Sequence, residues 1–81
     1  MTPIDDRGTV AKLFDFLRAE HGLESDADLA RELNRDTAYI SKVRKEKIPL
    51  TSNLILFIHI HFGVGVQEIF ERSGQQFRWG K

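Results

Sequence analysis

Ser25-Asp26-Ala27-Asp28-Leu29-Ala30-Arg31-Glu32-Leu33-Asn34-Arg35-Asp36-Thr37-Ala38-Tyr39-Ile40-Ser41-Lys42-Val43-Arg44 is the stretch on which the fold turns. It contains two helix starts in quick succession. Ser25 offers a side-chain oxygen to the free amides of a first turn, and Asp26 and Asp28 set negative charge at its positive dipole end. Asp28, shorter than the preferred glutamate, makes this a variant capping box. Ala27, Leu29, Ala30 and Leu33 give the helix its small and apolar contacts. Asn34 tolerates the left-handed backbone of a turn. Asp36 then caps a second helix at once. Ala38, Tyr39, Ile40 and Val43 are its candidates for burial, and Pro49 bars continuation much beyond Lys47.

Two short capped helices separated by a turn of about three residues form a helix-turn-helix unit. Ala30 supplies the small residue where the helices cross, Asn34 the turn, and Ile40 and Val43 the inner face of the second helix. Upstream, Thr9 is a plausible N-cap, and Val10, Leu13, Phe14 and Leu17 make one apolar stripe at i, i+3, i+4 and i+7. Gly22 closes that helix. Downstream, Thr51 or Ser52 caps the run Asn53 to Phe62. Its periodicity is ambiguous, because Leu54 to Ile58 is continuously apolar and His59 to Phe62 alternates like a strand. No second strand-like run exists to pair with it, so a helix is expected. Gly63 and Gly65 break it, and Val66 to Arg72 reads as a short fifth helix. The expectation is one all-α domain, a compact four- to five-helix bundle containing a helix-turn-helix. Residues 1–8 form a flexible lead-in, 9–73 the domain, and 74–81 a polar tail carrying Phe77 and Trp79.

The totals narrow the function classes. Eighty-one residues without cysteine exclude disulfides and thiolate metal sites and suit a reducing compartment. The start lacks a basic segment leading into an apolar run, and Leu54 to Ile58 is too short to span a bilayer. A soluble cytoplasmic protein without a membrane role is expected. Formal net charge is zero, but its distribution is uneven. Asp5 to Glu32 holds eight acids and four bases, whereas Arg35 to Lys47 holds five bases and two acids. A basic segment inside a neutral chain can still track phosphates, with an attraction that fades quickly in salt. His59 and His61 lie about 200° apart on a helix and cannot readily share an ion. No third ligand is placed nearby, so neither metal nor cofactor is expected. There is no serine, histidine and acid set, no phosphate-cradling glycine loop and no paired carboxylates. An enzyme is not expected.

Residues 24–72 resemble the lambda-repressor-like, Cro-type helix-turn-helix family of bacterial and phage transcription regulators. The likeness rests on Ser25 to Asn34, on Thr37-Ala-Tyr-Ile-Ser-Lys-Val-Arg-Lys45, and on Gly63-Val-Gly-Val-Gln-Glu-Ile-Phe70. It implies a four- or five-helix fold and sequence-specific binding to double-stranded DNA, with helix 37–46 in the major groove. By position, Thr37, Ala38, Ser41 and Lys42 would face base edges. Arg44, Lys45 and Lys47, with Ser25 and Tyr39, would contact phosphates. The chain departs from the family pattern at four places. Asn34 and Glu46 stand where glycine is usual or frequent, and Arg35 where a turn residue usually plugs the core. Asp26 takes a place that often holds a phosphate-touching glutamine.

The fourth helix carries more apolar surface than one small core can cover. Leu54, Ile55, Ile58 and Phe62 make a core-facing stripe, and Leu56, Phe57 and Ile60 make a second. The second stripe needs cover from the Phe77/Trp79 tail or from another chain. A homodimer through Leu56, Phe57 and Ile60, helped by Ile69 and Phe70, is the preferred reading, since paired half-sites strengthen repressor-like binding. The rival is a protein-interaction module, antitoxin-like or phage regulator-binding, that keeps the fold with weak or lost DNA binding. Zero net charge and Asp26 lean toward that rival.

Overall fold

We describe residues 8–74 of a computed structural model. Five helices follow in order: α1 Val10–His21, α2 Asp26–Glu32, α3 Thr37–Arg44, α4 Ser52–Phe62 and α5 Val66–Ser73. No strand occurs among the described residues, and the ambiguous Leu54 to Phe62 run is helical. Four starts are fixed by side chains that accept from the first-turn amides. Thr9 Oγ1 takes the Lys12 N–H at 3.1 Å, and Ser25 Oγ takes that of Asp28 at 3.2 Å. Asp36 Oδ1 takes the Tyr39 N–H at 2.7 Å, and Thr51 Oγ1 that of Leu54 at 3.2 Å. Each satisfies an amide that the helix itself leaves without a partner, worth about 1 kcal/mol.

The helices enclose one core. Val10, Leu13, Phe14 and Leu17 of α1 meet Leu29, Ala30 and Leu33 at α2, Ile40 and Val43 of α3, Leu54, Ile55 and Ile58 of α4, Val64, and Ile69 of α5. Helix α2 packs on α3, α1 on α2, α3 and α5, and α4 on α5. Full burial of a Leu, Ile or Phe side chain contributes about 1.5–3 kcal/mol. Such burial is what holds so short a chain together. The two ends of the domain meet at glycines. A Cβ on Gly8 would collide with the Arg72 carbonyl, and one on Gly74 with the Gly8 carbonyl. Gly8, expected to belong to the loose lead-in, therefore packs against the end of α5.

Several expectations need correction. Ala27 lies on the exposed side of α2 and adds nothing to the core. Ala38 is exposed as well. The third helix ends at Arg44, short of 46, because Lys45 caps it and Glu46 takes a left-handed conformation with φ 61°. Ile69, expected at a subunit interface, is fully buried within the chain. Val66, Ile69, Phe70 and Ser73 recur at i, i+3, i+4 and i+7, and that stripe faces inward with Ile69 deepest. Arg35 does not plug the core. Its side chain is exposed while its N–H donates to the Ala30 carbonyl at 2.9 Å, so the turn keeps its hydrogen bonding and the charge stays in water.

Candidate nucleic-acid interface

The turn between α2 and α3 sets the direction of α3. Leu33 N–H still bonds the Leu29 carbonyl, and Asn34 N–H the Arg31 carbonyl. Asn34 at φ 58° then reverses the chain. Asparagine accepts this conformation at low cost because its short amide can bond locally. Asp36 restarts a helix two residues later.

At about 100° per residue, Thr37, Ala38, Ser41, Lys42 and Lys45 share an arc of about 140° on α3. Thr37, Ala38, Lys42 and Lys45 are exposed and Ser41 is half-buried. Ile40 and Val43, on the other side, are fully buried. The four residues expected to face base edges thus lie on one outward surface, and Lys45 joins them. That surface is flat near the helix start, where the side chains are small, and cationic near its end. Small hydroxyls can donate or accept, and an ammonium can donate to guanine O6 and N7. Beyond α3, Glu46 turns the chain so that Lys47 is exposed while Ile48 packs against the core. Lys42, Lys45 and Lys47 take part in no ion pair among the described residues.

Arg44 behaves differently from the lysines. It lies about 40° from Ile40 around the helix, toward the interior. Its Nε and Nη2 donate to the two carboxylate oxygens of Asp26 at 2.9 and 2.7 Å. Nη1 donates to Asp15 Oδ1 at 2.9 Å and to the Ala11 carbonyl at 3.4 Å. The guanidinium also sits 5.8 Å from the centre of the Phe14 ring. Burial alone lowers the Arg44 pKa, but the hydrogen bonds and charges of Asp26 and Asp15 outweigh it and raise the value. A guanidinium held by two carboxylates is not offered to phosphate, so Arg44 leaves the expected phosphate-contacting set. Asp26 is correspondingly not a bare negative charge. It also lies 3.4 Å from Arg18 Nη1, and Arg18 bonds the Leu23 and Glu24 carbonyls.

Ser25, the other expected anchor, uses its oxygen as the α2 cap, and the adjoining Glu24 N–H is taken by Asp28 at 3.1 Å. Arg31 pairs with that same Asp28. The Ser25 oxygen and the Glu24 and Asp28 amides at the start of α2 are thus engaged within the chain, and carboxylates flank that start. Tyr39 is half-buried, with the Arg35 guanidinium 5.5 Å above its ring, and lies outside the outward arc of α3. Contact with a phosphate would need the strand to pass beside Arg35.

His59 Nδ1 meets the Val64 carbonyl at 2.7 Å, and His61 Nε2 meets Glu32 at 2.9 Å, so the two histidines point to different partners. No group of three or more His, Cys, Asp or Glu among the described residues is placed to hold a metal ion. No single described helix is long and apolar enough to cross a membrane. On α4, Leu56 is 52% and Ile60 71% exposed, while Phe57 is half-buried. Beside them Ser52, Ile55, Leu56, Val66 and Phe70 line a mainly apolar groove of about 260 Å³. Phe77 and Trp79 lie outside the described residues.

Comparison with protein-family models, curated proteins and solved structures finds no match.

Proposed function

We infer that this domain is a sequence-specific DNA-binding transcription regulator that inserts α3 into the major groove. One observation carries the reading: α3 and the turn after it present three lysines without acidic partners, around a face of small polar and methyl-bearing residues. Of the acids nearby, Asp26 and Asp15 pair with Arg44 and Asp28 with Arg31, while Asp36 caps α3 and Glu46 is exposed between Lys45 and Lys47. Lys42 is assigned to base edges together with Thr37, Ala38 and Ser41. Lys45 and Lys47 are assigned to phosphates. The resemblance of residues 24–72 to the Cro-type family agrees with this arrangement.

A two-fold dimer through α4 completes the proposal. Ser52, Leu56 and Ile60 form one i, i+4, i+8 ridge, and α4 has no Asp, Glu, Lys or Arg. Two such helices packed antiparallel bring Ile60 of each copy opposite the groove beside Leu56 of the other, with no like charges to separate them. The same exposed pair, Leu56 and Ile60, favours the second reading, a protein-interaction module on this fold. The two separate in a titration of random-sequence duplex at low salt. Retardation of the duplex by micromolar protein is expected, and its absence at every concentration would leave the interaction module.

A further inference from the structure

The cluster at the junction of α1, α2 and α3 has no place in DNA contact, yet it is the most connected polar group in the domain. Arg44 is the last residue of α3, Asp26 the first of α2, and Asp15 lies in mid-α1. The Arg44 side chain is 20% exposed and that of Asp26 25%. Its fork-to-carboxylate geometry fixes direction as well as distance, which a lysine cannot do. The Ala11 carbonyl and the Phe14 ring also lie beside the guanidinium, at 3.4 Å and 5.8 Å, while Asp15 is 63% exposed. Asp26 is in turn touched by Arg18, whose Nη2 holds the Glu24 carbonyl at 2.6 Å, so the loop before α2 is tied to the same point.

We propose that Arg44 is a positioning residue for DNA reading: gripped by Asp26 and Asp15, it fixes the end of α3 against α1 and α2, and Asp26 serves as its anchor rather than as a charge facing DNA. The proposal rests on the DNA-binding reading for its consequence, and on the cluster geometry for its cause. The reading face ends next to this clamp, since Lys42 and Lys45 flank Arg44 at two residues and one residue. Loss of the clamp lets the helix end swing. Contacts that depend on fixed angles to base edges weaken more than contacts to phosphate, which tolerate displacement. The clamp therefore acts on selectivity more than on overall attraction.

The experiment compares wild type with Asp26→Asn, Arg44→Gln, Arg44→Lys and the Asp26→Asn/Arg44→Gln double variant. The probes are a duplex enriched by the wild type from a random-sequence pool and a scrambled duplex of equal composition. Thermal melting first establishes that each variant is folded at the working temperature. Each single variant is expected to lower the preference for the enriched duplex about tenfold, with the double variant no worse than either single one. Arg44→Lys should not restore the preference, because it keeps the charge and loses the fork. The salt dependence of binding should be the same in all five proteins. A shallower salt dependence in Arg44→Gln would overturn the proposal by making Arg44 a phosphate contact. Tighter binding of Asp26→Asn to both duplexes alike would overturn it by making Asp26 a repelling charge. If the wild type binds neither duplex, the DNA reading fails by itself, and amide hydrogen exchange then decides the clamp. Arg44→Gln is expected to speed exchange at Ile40, Val43 and Lys45 severalfold while sparing α4 and α5. Uniform exchange across the domain would reject it.

Discussion

Four residues of nearly the same charge, Lys42, Arg44, Lys45 and Lys47, are separated by geometry alone. Three point to water and one into a carboxylate fork. Lys42→Ala is expected to weaken binding at one or two base pairs, by about 1–3 kcal/mol. Lys45→Ala should weaken all sequences alike and flatten the salt dependence. Binding curves on single-base variants of a selected site distinguish them, and equal losses at every position for both mutants would remove Lys42 from base reading. Arg44 itself makes no pH-sensitive contribution in the neutral range. Its folded pKa is raised above an already high value, so its stabilisation is present below the ordinary arginine range and is lost only as pH rises through the raised value. Glu46 carries a different load. A left-handed backbone costs a side-chain-bearing residue about 1–2 kcal/mol, and the Glu46 side chain offsets this with no more than a long 3.5 Å bond from Val10 N–H to its carboxylate. Glu46→Gly is expected to raise stability by about 0.5–1 kcal/mol in denaturant titration. A loss would mean that the Val10 contact outweighs the strain.

At the scale of elements, the caps were legible because they are local. Thr9, Ser25, Asp36 and Thr51 each stand immediately before an apolar rhythm, and each accepts a first-turn N–H. The inner face of α3 was legible for the same reason, since Ile40 and Val43 share a stripe. Two things were not. Arg44 lies one turn after Ile40, on the same side of the helix, and that spacing was a signal against solvent exposure. Its partners, however, are 18 and 29 residues away, and no local pattern names them. The burial of Ile69 was not legible because in the sequence it stands beside Phe70 as one apolar pair. Neighbouring positions on a helix diverge by about 100°, so one can be central in the core while the other is at its margin. Ala30 tests the helix pair directly. It is buried on α2, which packs on α3, and if it sits at their close approach Ala30→Leu is expected to cost at least about 1–3 kcal/mol by overpacking. A neutral or stabilising effect in thermal unfolding would mean that the crossing has room, and that another residue sets the approach of the helices.

At the scale of the molecule, a zero net charge coexists with three exposed lysines on and just after α3, because Asp15, Asp26 and Asp28 are held in ion pairs and most other acids lie on other segments. That predicts modest affinity for arbitrary DNA and a need for a second half-site. The exposed Leu56 and Ile60 are where a second copy would add it. Ile60→Glu is the cleaner probe, since Ile60 is 71% exposed and contributes little to the fold. Wild-type protein is expected to sediment as a dimer at micromolar concentration, and Ile60→Glu as a folded monomer with weaker operator binding. A wild type that stays monomeric, with Trp79 fluorescence marking a buried indole, would instead assign the α4 face to the tail.

The most direct test of the DNA-binding account is the salt dependence of duplex binding by wild type and by Lys45→Ala/Lys47→Ala. The logarithm of the binding constant should fall linearly with the logarithm of salt concentration, by roughly 0.9 for each phosphate contact. The double variant should therefore have a slope shallower by about 2 for each bound protomer. Equal slopes for the two proteins, or no duplex binding by the wild type at low salt, would contradict the account.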